Sequence, residues 1–235
     1  MDGTNYTDAL RHPKCVPEVF VPEQKRSTKS QKVRTNCYEQ WMPKHPDACC
    51  VFHSYAELYY AALLEADTHV LKFVPQPCTI PLKQFRHDKR KTYTPDVYVL
   101  FSDGREVVVE LASEESFEDK PVADATEYLE QYGIEYRVIR NADVYSHIQL
   151  AHNWLYIVRI IGAHWDPAFE SCYQAACAQL KREKALRLDE LESFLAPLPR
   201  PCARSAAFKM LHNGDAYAHL DRTVISARTE IVSHE

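Results

Sequence analysis

Apolar positions change their spacing several times along the chain, and each change marks an element. In residues 52–65, Leu58, Ala61, Ala62 and Leu64 fall at helical spacing behind Ser54, a residue type that caps helix N-termini. Glu57 stands three residues after Ser54, the acidic position of a capping box, so a structural role is open to it beside any chemical one. The helix is expected to end near 66–68. Residues 70–82, VLKFVPQPCTIPL, are β-branched and aromatic but broken by three prolines, which predicts an irregular or edge strand. A cationic turn at 89–91 leads into 93–112, YTPDVYVLFSDGREVVVELA. There Val97, Val99 and Phe101 alternate with Tyr98 and Leu100, residues 102–105 (SDGR) signal a hairpin turn, and 106–111 supply the second strand. Beyond an acidic patch (Glu114, Glu115, Glu118, Asp119), the pattern predicts a helix over 122–132 stopped by Gly133, a buried third strand over 134–139 and a further helix over 142–161. Helix, strand, hairpin, helix, strand, helix predicts an α/β sheet flanked by helices.

The ends of the chain read differently. Residues 1–45 are rich in proline, weakly periodic and carry the run QKRSTKSQKVR, in which Lys25, Arg26, Lys29, Lys32 and Arg34 stand without an acid among them. That run suits an extended arm lying on phosphates, and from charge alone a solvated tail suits it equally well. After the core, 46–165, the segment 166–235 holds helical stretches at 169–185, 188–195 and 203–212, then an Asn-Gly-Asp turn leading into AYAHLD and TVISART. Three short helices followed by a hairpin predict a winged helix that binds DNA or a partner, with Arg204 and Lys209 on its third helix as DNA contacts, although short helical trios also serve as plain packing modules.

Composition narrows the functional classes. A chain of 235 residues buries a sizeable core, and a net charge of -5 excludes a uniformly basic coat, leaving nucleic-acid contact to local patches. The eight cysteines include no CxxC pair, and their spacing with histidine suits neither zinc nor a disulfide framework. No apolar run approaches the roughly 20 residues that cross a bilayer, so the expectation is a soluble cytoplasmic protein with no membrane partner. The chain has no glycine-rich phosphate loop, which argues against nucleotide hydrolysis.

The hairpin carries the candidate chemistry. Asp96 heads one strand and Glu110 ends the other, so the turn folds two carboxylates together, and Glu57 from the preceding helix is a third. Carboxylates that converge in this way suit Mg²⁺ or Mn²⁺, hard cations that prefer oxygen ligands and keep room for water and phosphate.

The ordered motifs SYAELYYAALLEAD, FVPQPCTIPL, RKTYTPDVYVLFSDGREVVVEL and EQYGIEYRVI resemble TnsA, the endonuclease subunit of heteromeric, Tn7-like transposases. The resemblance spans about residues 45–160 and implies the restriction-endonuclease, or PD-(D/E)xK, fold: a mixed sheet flanked by helices. It also implies a metal-dependent endonuclease cutting the 5′ strand at transposon ends, with Glu57, Asp96 and Glu110 as catalytic metal ligands for Mg²⁺ or Mn²⁺. A DDE transposase (TnsB-like) and an AAA+ regulator (TnsC-like) would be its protein partners. In the family pattern a lysine follows two residues after the Glu110 position; here Ala112 stands there. A methyl group donates no hydrogen bond to water or to a phosphoryl oxygen. Three readings remain open: a lysine from elsewhere (Lys120, Lys91 or Lys72) serves, the metal alone suffices, or the subunit is a silent DNA- and protein-binding scaffold. A repair or resolvase-like nuclease of the same fold is the further alternative.

Overall fold

The computed structural model describes residues 20–25, 37–45, 47, 49–82, 92–118, 120–163, 169–196 and 200–234. Strand β1 (Tyr38–Trp41) pairs antiparallel with β2 (Cys49–Phe52), a hairpin that the weak periodicity before residue 50 does not disclose. Helix α1 (Tyr55–Ala66) follows, capped by Ser54, whose hydroxyl accepts from the Glu57 amide at 3.1 Å. Its apolar face, Leu58, Ala61, Ala62 and Leu64, is buried as the spacing predicts.

The central sheet has the order β3-β6-β7-β8. Strand β3 (Val70–Pro75) is an edge with a bulge between Val70 and Lys72, as its prolines predict. It is followed by the short pair β4 (Ile80–Pro81) and β5 (Thr92–Tyr93). Strands β6 (Val97–Phe101) and β7 (Glu106–Ala112) form the hairpin, whose turn places Gly104 at φ 85°, a backbone region glycine adopts without steric cost. After a single 3-10 turn at Glu114–Ser116, helix α2 (Val122–Glu130) crosses over so that β8 (Glu135–Arg140) runs parallel to β7. The sheet is therefore mixed and flanked by helices, the restriction-endonuclease-like arrangement. The run VVV in β7 is apolar on both faces because both are covered: Val107 and Val109 pack toward α1, Val108 toward Ala125 and Leu129 of α2. Strand β8, expected to be buried, is the opposite edge and alternates between exposed and half-buried positions.

The predicted helix over 142–161 is two helices, α3 (Asn141–Tyr145) and α4 (Ile148–Ala163). The break falls at Ser146, whose hydroxyl bonds the Asp143 carbonyl at 2.6 Å in competition with helix continuation. In α4, a Cβ added to Gly162 would lie 2.5 Å from the Trp41 ring, so glycine lets β1 approach the helix.

Toward the C-terminus come α5 (Phe169–Glu183), β9 (Ala185–Arg187), α6 (Leu188–Phe194), α7 (Arg200–Asn213), β10 (Ala216–Tyr217) and β11 (Glu230–Ser233), the strands forming an antiparallel sheet β10-β11-β9. The three helices match the expected segments, but the sheet corrects the expected hairpin. TVISART is not a strand, because its carbonyls serve the start of α6: Thr229 accepts from Leu188 at 2.9 Å and Ala227 from Asp189 at 2.9 Å. The strand partner lies beyond it, at β11.

One apolar cluster runs from Met42 through α1, the sheet and α4 to Ile231, so the C-terminal elements share a core with the central sheet. Asn153 of α4 ties the two parts together. Its amide donates to the carbonyls of Leu220 (2.8 Å) and Thr223 (2.7 Å), and its oxygen accepts from the Ile225 amide (3.1 Å). Asn153→Ala strands three backbone groups and is expected to destabilise the chain by about 3 kcal/mol, read as a lower urea midpoint at unchanged slope. A midpoint equal to wild type would mean those groups find water. Among the described residues, no helix is long and apolar enough to cross a membrane.

Candidate active site

Register places the two hairpin carboxylates side by side. Val97 pairs with Val109 and Tyr98 with Val108, so the next step along the ladder sets Asp96 opposite Glu110. Asp96 is fixed from two directions: its Oδ2 accepts from the Leu111 amide at 2.8 Å, and its carbonyl accepts from the Gln76 amide at 2.7 Å. Glu57 reaches the same place from the first turn of α1 and lines a small cleft with Asp96 among Phe52, Pro75 and Leu111. Its Oε1 accepts from the Ser54 hydroxyl (3.0 Å), and its Oε2 accepts from the His53 amide (3.1 Å) and the Gln76 side-chain amide (2.7 Å). The capping role and the site role therefore coincide.

Charge is unevenly balanced here. Burial, then Glu110, then Glu57 hold the Asp96 carboxyl well above the ordinary aspartate range, against the opposing pull of the Leu111 amide and Lys120. Burial also pushes Glu57 up, although His53, Ser54 and Gln76 stabilise its charged form. Glu110 is 3% exposed. One of its oxygens takes the Lys120 ammonium in a salt bridge, and the other, Oε2, is buried with no hydrogen-bond partner. The Tyr93 hydroxyl lies 2.9 Å from that of Tyr136, and burial and then Glu110 raise its pKa. Among the described residues, three carboxylates thus share one ammonium, with one carboxylate oxygen left over. A divalent cation would carry the charge this set lacks, and Asp96, Glu110 and Glu57 are the carboxylates that could hold one. Among the described residues, no three His, Cys, Asp or Glu side chains are already arranged to hold a metal ion. Glu57 is turned to its cap and Gln76, and Glu110 to Lys120.

Of the two candidate lysines among the described residues, the structure brings one to the centre. Lys120 precedes α2, and the β7–α2 crossover lays its ammonium on Glu110. Lys72 instead sits over the Tyr98 ring at 5.9 Å, and Lys91 lies outside the described residues. Ala112 is 1% exposed, on the same face as Glu110 two residues further along β7.

The candidate DNA contacts are dispersed. Lys25 is ion-paired with Glu23 at 2.7 Å, and Arg26, Lys29, Lys32 and Arg34 lie outside the described residues. On α7, Arg204 binds Glu192 at 2.5 Å and the Tyr156 hydroxyl at 3.4 Å, and Lys209 is half-buried, its pKa lowered by burial. Residues 205–208 between them are fully buried, so this part of α7 is core rather than a basic face. Sequence reasoning passed over Gln76, Tyr93 and Tyr136 as site residues. The signal for Gln76 was a polar residue between two prolines in an otherwise apolar strand, VPQP.

Residues 67–141 match the family model described as TnsA-like endonuclease N terminal. This part of the chain is TnsA-like. The matched stretch contains the whole β3-β6-β7-β8 sheet with Asp96, Glu110, Ala112 and Lys120, and bears out the resemblance carried by the motifs. It begins just past α1, so Glu57 lies outside it, as do the C-terminal elements. No curated protein matches the chain.

Proposed function

We propose that the chain is the metal-dependent endonuclease subunit of a Tn7-like transposase, hydrolysing a phosphodiester on the 5′ strand at transposon ends. The observation that carries this reading is the Lys120 ammonium on Glu110, next to Asp96, in a TnsA-like sheet whose usual lysine position is Ala112. Asp96, Glu110 and Glu57 would hold Mg²⁺ or Mn²⁺, which supplies positive charge against the phosphate and lowers the pKa of bound water. Lys120 orients Glu110 and supplies the donor that Ala112 cannot, directed at water or a phosphoryl oxygen. The Leu111 amide holds one oxygen of the Asp96 carboxylate, leaving its second oxygen for the metal. In the hydrolysis itself, water oxygen bonds to phosphorus, one ester P–O bond breaks and the departing sugar oxygen takes a proton.

The arm, Lys25 with Arg26, Lys29, Lys32 and Arg34, is assigned to DNA phosphates. Reversing its charges is expected to weaken DNA binding and flatten the salt dependence, and an unchanged salt slope would remove it from the interface. The segment 166–235 has the helix, strand, helix, helix, strand, strand order of a winged helix, which supports that assignment. Because Arg204 is already ion-paired within the chain, this segment is assigned to protein contact, with a TnsC-like AAA+ regulator, while a TnsB-like DDE transposase cuts the other strand. Working on DNA, the subunit is assigned to the cytoplasm.

Ala112 favours a second reading, a silent nuclease fold kept for DNA and protein binding. Supercoiled DNA carrying the cognate ends separates the two. The chain with its transposase is expected to nick the 5′ strand in Mg²⁺ and not in a chelator. Identical products with and without the chain would establish the silent reading.

A further inference from the structure

Among the described residues, Gln76 is the one glutamine with 0% exposure, and its backbone is as unusual as its burial. It has φ 44°, a left-handed conformation that costs a non-glycine residue free energy, and it precedes Pro77, which favours extended backbone instead. Non-glycine residues held this way against their preferences cluster at functional sites, where surrounding contacts over-determine them.

The contacts here all lead to the carboxylate centre. The side-chain amide of Gln76 donates to Glu57 Oε2 at 2.7 Å, and its backbone amide donates to the Asp96 carbonyl at 2.7 Å. From the other side, the segment 20–25 straps across this corner. The Lys25 amide donates to the Gln76 carbonyl at 3.0 Å, and the Glu23 amide to the Pro77 carbonyl at 3.0 Å. The Gln24 side-chain amide donates to the Val51 carbonyl at 2.7 Å and to Gln76 Oε1 at 3.3 Å. Phe20 anchors the strap by packing against Tyr98 and Tyr132. The amide of Gln76 is thus fixed at both ends, its oxygen on Gln24 and its nitrogen on Glu57, and a flipped amide would set an oxygen against the carboxylate.

We propose that Gln76 is a positioning residue of the carboxylate centre: its amide aims Glu57, its left-handed backbone holds Asp96, and Gln24 of the N-terminal strap locks it in place. This rests on the metal-dependent reading above and extends it, because the strap that completes the site continues directly into the basic arm assigned to DNA. Docking of residues 20–25 and order at the catalytic centre then become one event.

The test is Mn²⁺ binding to the full chain, followed by electron paramagnetic resonance, with a melting curve for each variant. Gln76→Gly removes the amide while suiting the left-handed backbone. It is expected to stay folded, keep the bond to Asp96 and lose about 10- to 100-fold in Mn²⁺ affinity, the usual effect of removing a residue that orients a metal ligand. Gln24→Ala, on the strap, is expected to shift affinity the same way by a smaller factor. A folded Gln76→Gly with wild-type Mn²⁺ affinity overturns the proposal, as does an unchanged Gln24→Ala should the glycine variant not fold. A wild-type chain that binds no Mn²⁺ overturns the metal-dependent reading itself, and this role with it.

Discussion

Lys120→Ala is expected to lower strand cleavage about 100- to 1,000-fold, the scale on which loss of one preorganised donor is felt at a developing oxyanion. The side chain is 21% exposed and its Glu110 partner 5%, so the pair is largely withdrawn from water. Removing the lysine leaves a buried carboxylate with no counter-charge among the described residues, which costs about 3 kcal/mol or more of stability in the metal-free protein. Bound metal offsets that loss, so the melting temperature of the variant is expected to rise more with Mg²⁺ than that of wild type. Lys120→Ala combined with Ala112→Lys is the informative partner. Position 112 shares the face of Glu110, and a lysine there points at the same centre along the strand instead of across the crossover. Partial recovery of nicking in the double variant is expected. Full activity in Lys120→Ala alone would show that this ammonium only neutralises Glu110.

Asp96→Asn is expected to abolish cleavage and, without metal, to stabilise the fold at neutral pH. The sign follows from protons bound. Burial, Glu110 and Glu57 hold the folded Asp96 carboxyl well above its ordinary value of 3.8. Between that value and the raised one the folded chain binds more protons than the unfolded chain, so stability falls as pH rises through the window. Wild type is therefore expected to melt lower at neutral than at mildly acidic pH. Asparagine keeps an acceptor for the Leu111 amide and carries no charge, which flattens most of that slope. A residual slope remains from Glu57, whose pKa burial also raises. Calorimetric melting across pH for both proteins checks this, and parallel curves would mean that Asp96 is ionised at little cost.

How much of this was legible in the sequence depended on range. The hairpin could be read locally, because Asp-Gly fixes the turn and alternation fixes the register, and together they put Asp96 opposite Glu110. The helix carrying Glu57 was legible from its cap. Properties set by distant packing were not. The 134–139 strand has an apolar pattern, yet its edge position leaves it half open. TVISART has strand composition, yet its carbonyls are occupied by the start of α6. Lys120 and Lys72 were equivalent in the sequence, and the path of the β7–α2 crossover distinguishes them. Arg204 looked like a DNA contact because charge is visible in a sequence and its Glu192 partner, twelve residues away, is not. The left-handed backbone of Gln76 has no sequence signature except its flanking prolines.

The central claim is that Asp96, Glu110 and Glu57 form one divalent-metal centre, and Mn²⁺ titration of wild type beside Asp96→Asn tests it most directly. Mn²⁺ is expected to bind wild type at neutral pH and to be lost in Asp96→Asn while the variant stays folded. Equal Mn²⁺ binding by the two proteins would contradict it.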